Sequence, residues 1–200
     1  KNNKVVSLTY TQYGANLLPS NVYALSSKDP LAVLPVTYHQ GDYIIDESLV
    51  KPEIIFDAYD AKGNVLQHHR QNNIPTSYIW DYNKSYPVIK SENADHTTLE
   101  AAYQSALSAA GIVDLRDLTA AAWTEDQKTK LKMFTNALLN DPALSSARTT
   151  VFTYLPFIGM SSLTESNGVT VYYEYDTFGR LMLIKDQNGH ILKHYTYHYK

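Results

Sequence analysis

The sequence predicts a mainly β protein of the α+β class. It expects antiparallel β-hairpin repeats forming a meander, with a two-helix hairpin inserted in the chain. Three observations predict this. Turn tetrads of the form Asp-x-x-Gly recur along the chain, as in Asp176-Thr177-Phe178-Gly179 and Asp186-Gln187-Asn188-Gly189. The segments between them alternate apolar and polar residues with the period of a strand. Residues 97–141 switch to a helical period.

Within the first ninety-five residues, 5–10, 21–25, 33–38, 43–45 and 53–58 are candidate strands, and Val6, Leu8 and Tyr10 share a face of the first. Pro30, Pro35, Pro52, Pro75 and Pro87 punctuate such runs, and Pro35 is expected to push its strand towards a sheet edge. The first clear turn is Asp60-Ala61-Lys62-Gly63. Asp at the first position can accept from backbone N–H groups just ahead of it. Gly three residues on can take a positive φ that a side chain resists, as a type I turn closing a hairpin requires.

Residues 97–141 read as a helical hairpin. Thr97-Thr98-Leu99-Glu100 is spelled as a capping box, Leu99, Ala102, Tyr103, Ala106, Leu107 and Ala110 fall on one face, and Gly111 is a natural stop. Thr124-Glu125-Asp126-Gln127 is a second box, followed by the stripe Leu131, Phe134, Leu138 and Leu139, with Pro142 just beyond. Leu115 and Leu118 between them suit a short helical turn.

The tail continues the meander. Glu165-Ser166-Asn167-Gly168 is a looser turn copy with Glu for Asp, and Gly168, Gly179 and Gly189 are spaced by 11 and then 10 residues, one strand plus one turn. Val171, Tyr173 and Tyr175 share a face, 181–184 is apolar on both faces, and 191–199 alternates. The organisation expected is therefore a β-rich segment over 1–96, a helical insertion over 97–142 and a β-meander over 143–200, cut as one compact piece from a longer repeat protein.

Composition narrows the functional classes. A net charge of −3 points to neither nucleic acid nor an anionic membrane as partner. The absence of Cys removes thiol chemistry and a disulfide scaffold. No run approaches the roughly 20 apolar residues of a membrane span, and no signal peptide is visible. The bias of 17 Tyr against 5 Phe suits half-buried strand surfaces. His190, His194 and His198 recur every fourth residue, but on a strand that is about 13 Å, too far to share an ion that holds its ligands at about 2 Å. No nucleophile elbow or phosphate-cradling loop is present. The sequence thus predicts no catalytic, metal or cofactor-binding residue. Asp60, Gly63, Gly168, Asp176, Gly179, Asp186 and Gly189 are expected to be structural turn residues.

The run Tyr173-Glu174-Tyr175-Asp176-Thr177-Phe178-Gly179-Arg180-Leu181 resembles the YD repeat of Rhs-type proteins, and 58–65 resembles a worn copy. Trp80-Asp81-Tyr82-Asn83-Lys84-Ser85-Tyr86 reads as a more degenerate one, with Asn83 for Asp and Tyr86 for Gly. The wording of 154–160 and 167–170 is similar to Rhs-related surface proteins of Bacteroidetes-type bacteria. The resemblance covers the last fifty residues and 55–90. It implies a non-enzymatic structural segment of a bacterial cell-surface (outer-membrane-associated) or secreted protein, part of a β-wall that encloses or displays a C-terminal domain, as in polymorphic toxin shells. Its implied partners are the other repeats of the parent chain and a C-terminal toxin or effector. Asp29-Pro30 and Asp141-Pro142 lack the Gly of the family's autoproteolytic Asp-Pro-x-Gly element, so no autoproteolytic residue is assigned. The alternative is a carbohydrate-binding module, with Trp80, Tyr82 and Tyr86 as the candidate glycan-binding rings. A hydrolase is a third reading that no motif supports.

Overall fold

The computed structural model describes residues 4–34, 36–40, 42–119 and 123–198. The chain divides into two compact units, Lys1–Ile74 and Pro75–Lys200. The β-rich segment expected over 1–96 spans the first unit and the opening two strands of the second. The helical insertion and the final meander both lie in the second.

The first unit carries β1 (Thr9–Tyr13), β2 (Pro19–Leu25), β3 (Val36–His39), β4 (Asp42–Ile45), β5 (Val50–Tyr59) and β6 (Val65–His69). Strands β1, β2, β5 and β6 pair antiparallel in that order, while β3 and β4 form a separate hairpin. Pro35, just before β3, lies outside the described residues. The first strand starts later than its alternation predicts. Thr9 pairs with Ala24, and Val5 makes only an isolated bridge to Leu31. The hairpin β5–β6 reverses at the Asp60 turn, where Gly63 has φ 84. Behind that turn the Tyr59 hydroxyl donates to the Pro19 carbonyl at 2.6 Å.

The second unit is a meander interrupted once. Its elements are β7 (Pro75–Asp81), β8 (Tyr86–Glu92), α1 (His96–Ala110), a 3-10 turn (Leu115–Leu118), α2 (Glu125–Leu139), a second 3-10 turn (Pro142–Leu144), β9 (Arg148–Leu155), β10 (Gly159–Thr164), β11 (Thr170–Tyr175), β12 (Leu181–Asp186) and β13 (Ile191–His194). Strands β7 to β13 lie side by side in sequence order. Tyr173 faces Ile184, and Ile184 in turn faces Lys193. Strand β12 is flanked on both edges and half-buried throughout, which accounts for its unbroken apolar spelling. The last strand is shorter than the alternation of 191–199 predicts. It ends at His194, and Tyr199 lies outside the described residues.

The helices insert between β8 and β9 and cover the face of the sheet that carries Ile79, Ile89 and Val151. Leu99, Leu118, Leu131, Phe134 and Leu138 fill the space between, and Phe134 meets Tyr103 edge-on at 5.9 Å. Gly111 ends α1 with φ 64, and the Thr124–Gln127 box caps α2 reciprocally. The start of α1 differs from its spelling. Asp95, not Thr97 or Thr98, is the N-cap, and its carboxylate accepts from the Thr98 N–H at 2.9 Å. A carboxylate one residue before the helix outcompetes a hydroxyl because it carries charge to the positive helix end. The same bond holds the Asp95 carboxyl below the usual carboxylate range.

On the covered face, small hydroxyl residues pair across neighbouring strands. Ser91 meets Thr149 at 2.8 Å, Thr153 meets Ser162 at 2.6 Å, and Thr164 meets Thr170 at 2.8 Å. Each pair satisfies both polar atoms where water is absent, so the polar stripe costs little.

Candidate functional site

The turns repeat in atomic detail. In the Asp176 turn, Oδ1 accepts from the Phe178 N–H at 2.9 Å and the Arg180 N–H at 3.0 Å, and the Gly179 N–H closes the ring onto the Asp176 carbonyl at 2.9 Å. In the Asp186 turn, Oδ1 accepts from Asn188 at 2.9 Å and His190 at 2.8 Å. In the Asp60 turn it accepts from Lys62 at 2.8 Å and Asn64 at 3.0 Å. Gly63, Gly168, Gly179 and Gly189 have φ of 84, 78, 73 and 86, the left-handed region where a Cβ is resisted.

The repeat has a fifth member that the sequence reading missed. The residue after Gly sends a side-chain donor back to the second carboxylate oxygen. Asn64 Nδ2 reaches Asp60 Oδ2 at 3.0 Å, Arg180 Nε reaches Asp176 Oδ2 at 2.7 Å, and His190 Nδ1 lies 2.9 Å from Asp186 Oδ2. The shared spelling Asp-x-x-Gly-donor was the available signal. These bonds hold the Asp176 and Asp186 carboxyls below their usual range, Arg180 and His190 being the largest causes. In the Glu165 copy the donor position holds Val169. There Asn167 Oδ1 takes over and accepts from the Val169 N–H at 2.9 Å.

The tip between β7 and β8 is built differently from the degenerate copy its spelling predicts. Tyr86 opens β8 and does not stand in for a turn glycine. The chain reverses through three consecutive left-handed residues, Tyr82, Asn83 and Lys84, at φ 53, 57 and 59. That conformation costs about 1–2 kcal/mol per residue for an L-amino acid. Asp81 is what sustains it. Its side chain is almost fully buried, and Oδ1 accepts from the Tyr82 N–H at 2.6 Å. Oδ2 accepts from the Leu115 N–H at 2.8 Å and the Tyr103 hydroxyl at 3.3 Å. Arg116 lies 3.7 Å from Asp81 and pairs with Asp114, and its Nη1 donates to Asn83 Oδ1 at 3.1 Å. Burial pushes the Asp81 carboxyl up, and burial followed by the neighbouring Asp81 charge pushes the Tyr103 phenol up. A carboxylate whose two oxygens are both taken by protein donors joins hairpin to helices and presents no open face to a substrate.

The three candidate glycan-binding rings do not share an exposed face. Tyr82 is 5% exposed, and its hydroxyl accepts from the Tyr154 N–H at 3.0 Å. Tyr86 stacks on Tyr154 with centroids 4.7 Å apart and meets Tyr82 edge-on at 5.6 Å. Trp80 is half-buried on β7, on the face opposite Ile79 and Asp81. Tyr82 and Tyr86 are thus packing residues, because the left-handed turn folds Tyr82 under the helical insertion. Among the described residues, no cluster of three His, Asp or Glu is arranged to hold a metal ion. Among the described residues, no helix is long and apolar enough to cross a membrane.

The fold is a mainly β antiparallel meander with a helical insertion. Compared with known proteins, the chain matches no family model and no curated sequence. Among solved structures it is similar to the crystal structure of TcdB2-TccC3 without its hypervariable C-terminal region, at 13% identity and a TM-score of 0.42. The match covers 94% of this chain and 8% of that chain, so this chain spans a small fraction of that neighbour's length.

Proposed function

We propose that the chain is a non-enzymatic segment of an Rhs-like YD-repeat protein, secreted or displayed on a bacterial surface, and that it forms part of a β-wall enclosing or displaying a C-terminal domain. The repeated five-residue turn, with the same carboxylate bonds at Asp60, Asp176 and Asp186, is the observation that carries the reading. A repeated hairpin buries little by itself and gains a continuous surface from neighbours of the same kind, the logic of a wall. The Asp81 junction, the most elaborate polar cluster described, has its acceptors occupied internally, which fits a structural role. The partners are then further repeats of the parent chain and the domain they surround.

Antibody against this chain tests the proposal on the source bacterium. It should label intact cells or culture medium and detect a polypeptide far larger than 22.6 kDa. Reactivity confined to lysed cells, or to a band of that size, would overturn it.

A further inference from the structure

We propose that the second unit carries a binding groove for an anionic, oxygen-rich ligand, bearing carboxylate or phosphate, between α2 and the turns β10–β11 and β12–β13. The groove is independent of the wall reading. Its volume is about 520 Å³, within the range of small-molecule sites. One wall is the α2 row Glu125, Lys128, Lys132 and Asn136, and the other is formed by Asn167 and Asn188 at the two turn tips.

Tyr172 on β11 marks this groove as more than a crevice. Tyr172 is 7% exposed and lines the groove; its hydroxyl is not one of the enclosed side-chain atoms left unpaired, so it reaches the open space of the groove, where it makes no hydrogen bond to a described residue. Other buried or half-buried tyrosines here bond within the protein: Tyr59, Tyr82, Tyr103, Tyr154 and Tyr175. Trp123 packs against the Tyr172 ring at 5.0 Å and fixes it in place. The hydroxyl opens onto the groove and can donate to a ligand held there.

The rest of the lining selects the charge of that acceptor. Glu125 is the one carboxylate in it, and Lys128 neutralises it at 2.8 Å. Lys132 is exposed, has no counter-ion among the described residues, and leaves the groove with an excess of one positive charge. Asn167 uses its oxygen on the Val169 N–H, so its amide hydrogens remain for a ligand. The inventory of a phenol O–H, an ammonium and carboxamide N–H groups is one of donors, complementary to a carboxylate or phosphate and not to a cation.

The test is calorimetric titration of the whole chain with inorganic phosphate, glucuronate and glucose. The two anions separate phosphate from carboxylate as the favoured group, and glucose supplies the hydroxyls without the charge. At least one anion should bind in the millimolar range or tighter, with affinity falling as salt is raised, and glucose should bind at least tenfold more weakly (about one unit of log Kd). Tyr172→Phe should weaken the anion by about tenfold, the usual effect of losing one charge-assisted hydrogen bond. It should leave the melting temperature unchanged, because no protein bond is lost. Lys132→Gln should weaken it by a similar factor and flatten the salt dependence. Absence of anion binding, affinity indifferent to both substitutions, or glucose binding as well as glucuronate would overturn the proposal. So would a drop in melting temperature in Tyr172→Phe, which would show that the phenol already has a protein partner.

Discussion

Replacing Asp81 by alanine isolates the interaction that joins the hairpin tip to the helical insertion. The substitution orphans the Tyr82 N–H, the Leu115 N–H and the Tyr103 hydroxyl at once. Leu115 is fully buried, so its N–H has no route to water, and an unmet buried donor costs about 1–3 kcal/mol. Tyr82 adjoins the exposed Asn83, and Tyr103 is held at a long 3.3 Å, so these two contribute less. Relief of the desolvated charge offsets part of the loss. The net is about 2–4 kcal/mol, set by the unmet donors alone, since Arg116 is half-exposed and keeps Asp114 as its partner. With a denaturant slope of about 2–3 kcal/mol/M, the urea midpoint should fall by roughly 1–2 M. Trp80 and Trp123 both lie in the second unit, so intrinsic fluorescence reports the relevant transition. A midpoint within about 0.2 M of wild type, under 0.6 kcal/mol at that slope, would refute the claim that Asp81 sustains the junction.

Further predictions concern the turns, one close approach and acid. Gly179→Val should cost about 1–2 kcal/mol in urea unfolding through φ 73 alone, since its Cβ would meet Ile158 only at an ordinary 3.7 Å; an unchanged midpoint would mean that no left-handed residue is needed there. Gly159→Ala should also destabilise although Gly159 has no positive φ, because its Cβ would come within 2.5 Å of the Tyr175 hydroxyl and displace the bond to the Met160 carbonyl; a cost of about 1–3 kcal/mol is expected, and a neutral result would contradict that packing. The pH dependence should separate two kinds of carboxylate. Asp95, Asp176 and Asp186 are held below their usual range, so the stability they contribute is lost as pH falls through their folded values. Asp81 is raised by burial, so it contributes in the opposite sense and gains as pH falls from its folded value to the ordinary 3.8. The stability gap between wild type and Asp81→Asn should therefore widen between pH 7 and about pH 4; a narrowing gap, read from urea midpoints at each pH, would contradict the burial argument.

Features written in four or five adjacent residues were legible in the sequence. The turns at Asp60, Asp176 and Asp186 could be read because the acceptor and the left-handed glycine lie three residues apart; the donor that follows the glycine was in the same spelling and went unread. The helical insertion could be read because its two stripes switch the period cleanly, and Gly111 and the Thr124 box mark two of its ends. What escaped depends on distant parts of the chain. The Asp81 junction joins a hairpin tip to residues more than twenty positions downstream, and nothing near Asp81 announces it. Tyr82, a ring that only the alternative glycan-binding reading would display, is a core ring in the fold, because a left-handed turn needing no glycine tucks it inward. The groove also draws on α2 and two separate turns. It is visible only once β11 places Tyr172 beneath Lys128, whose ammonium lies 5.9 Å from the ring centre.

Cross-strand proton NOEs in the last thirty residues test most directly whether the chain doubles back at Gly179 and Gly189. The account predicts close contacts across the pairs Tyr173–Ile184 and Ile184–Lys193, two antiparallel ladders sharing β12. Sequential helical contacts through 170–194, or ladders shifted by one residue so that Ile184 faces neither Tyr173 nor Lys193, would contradict it.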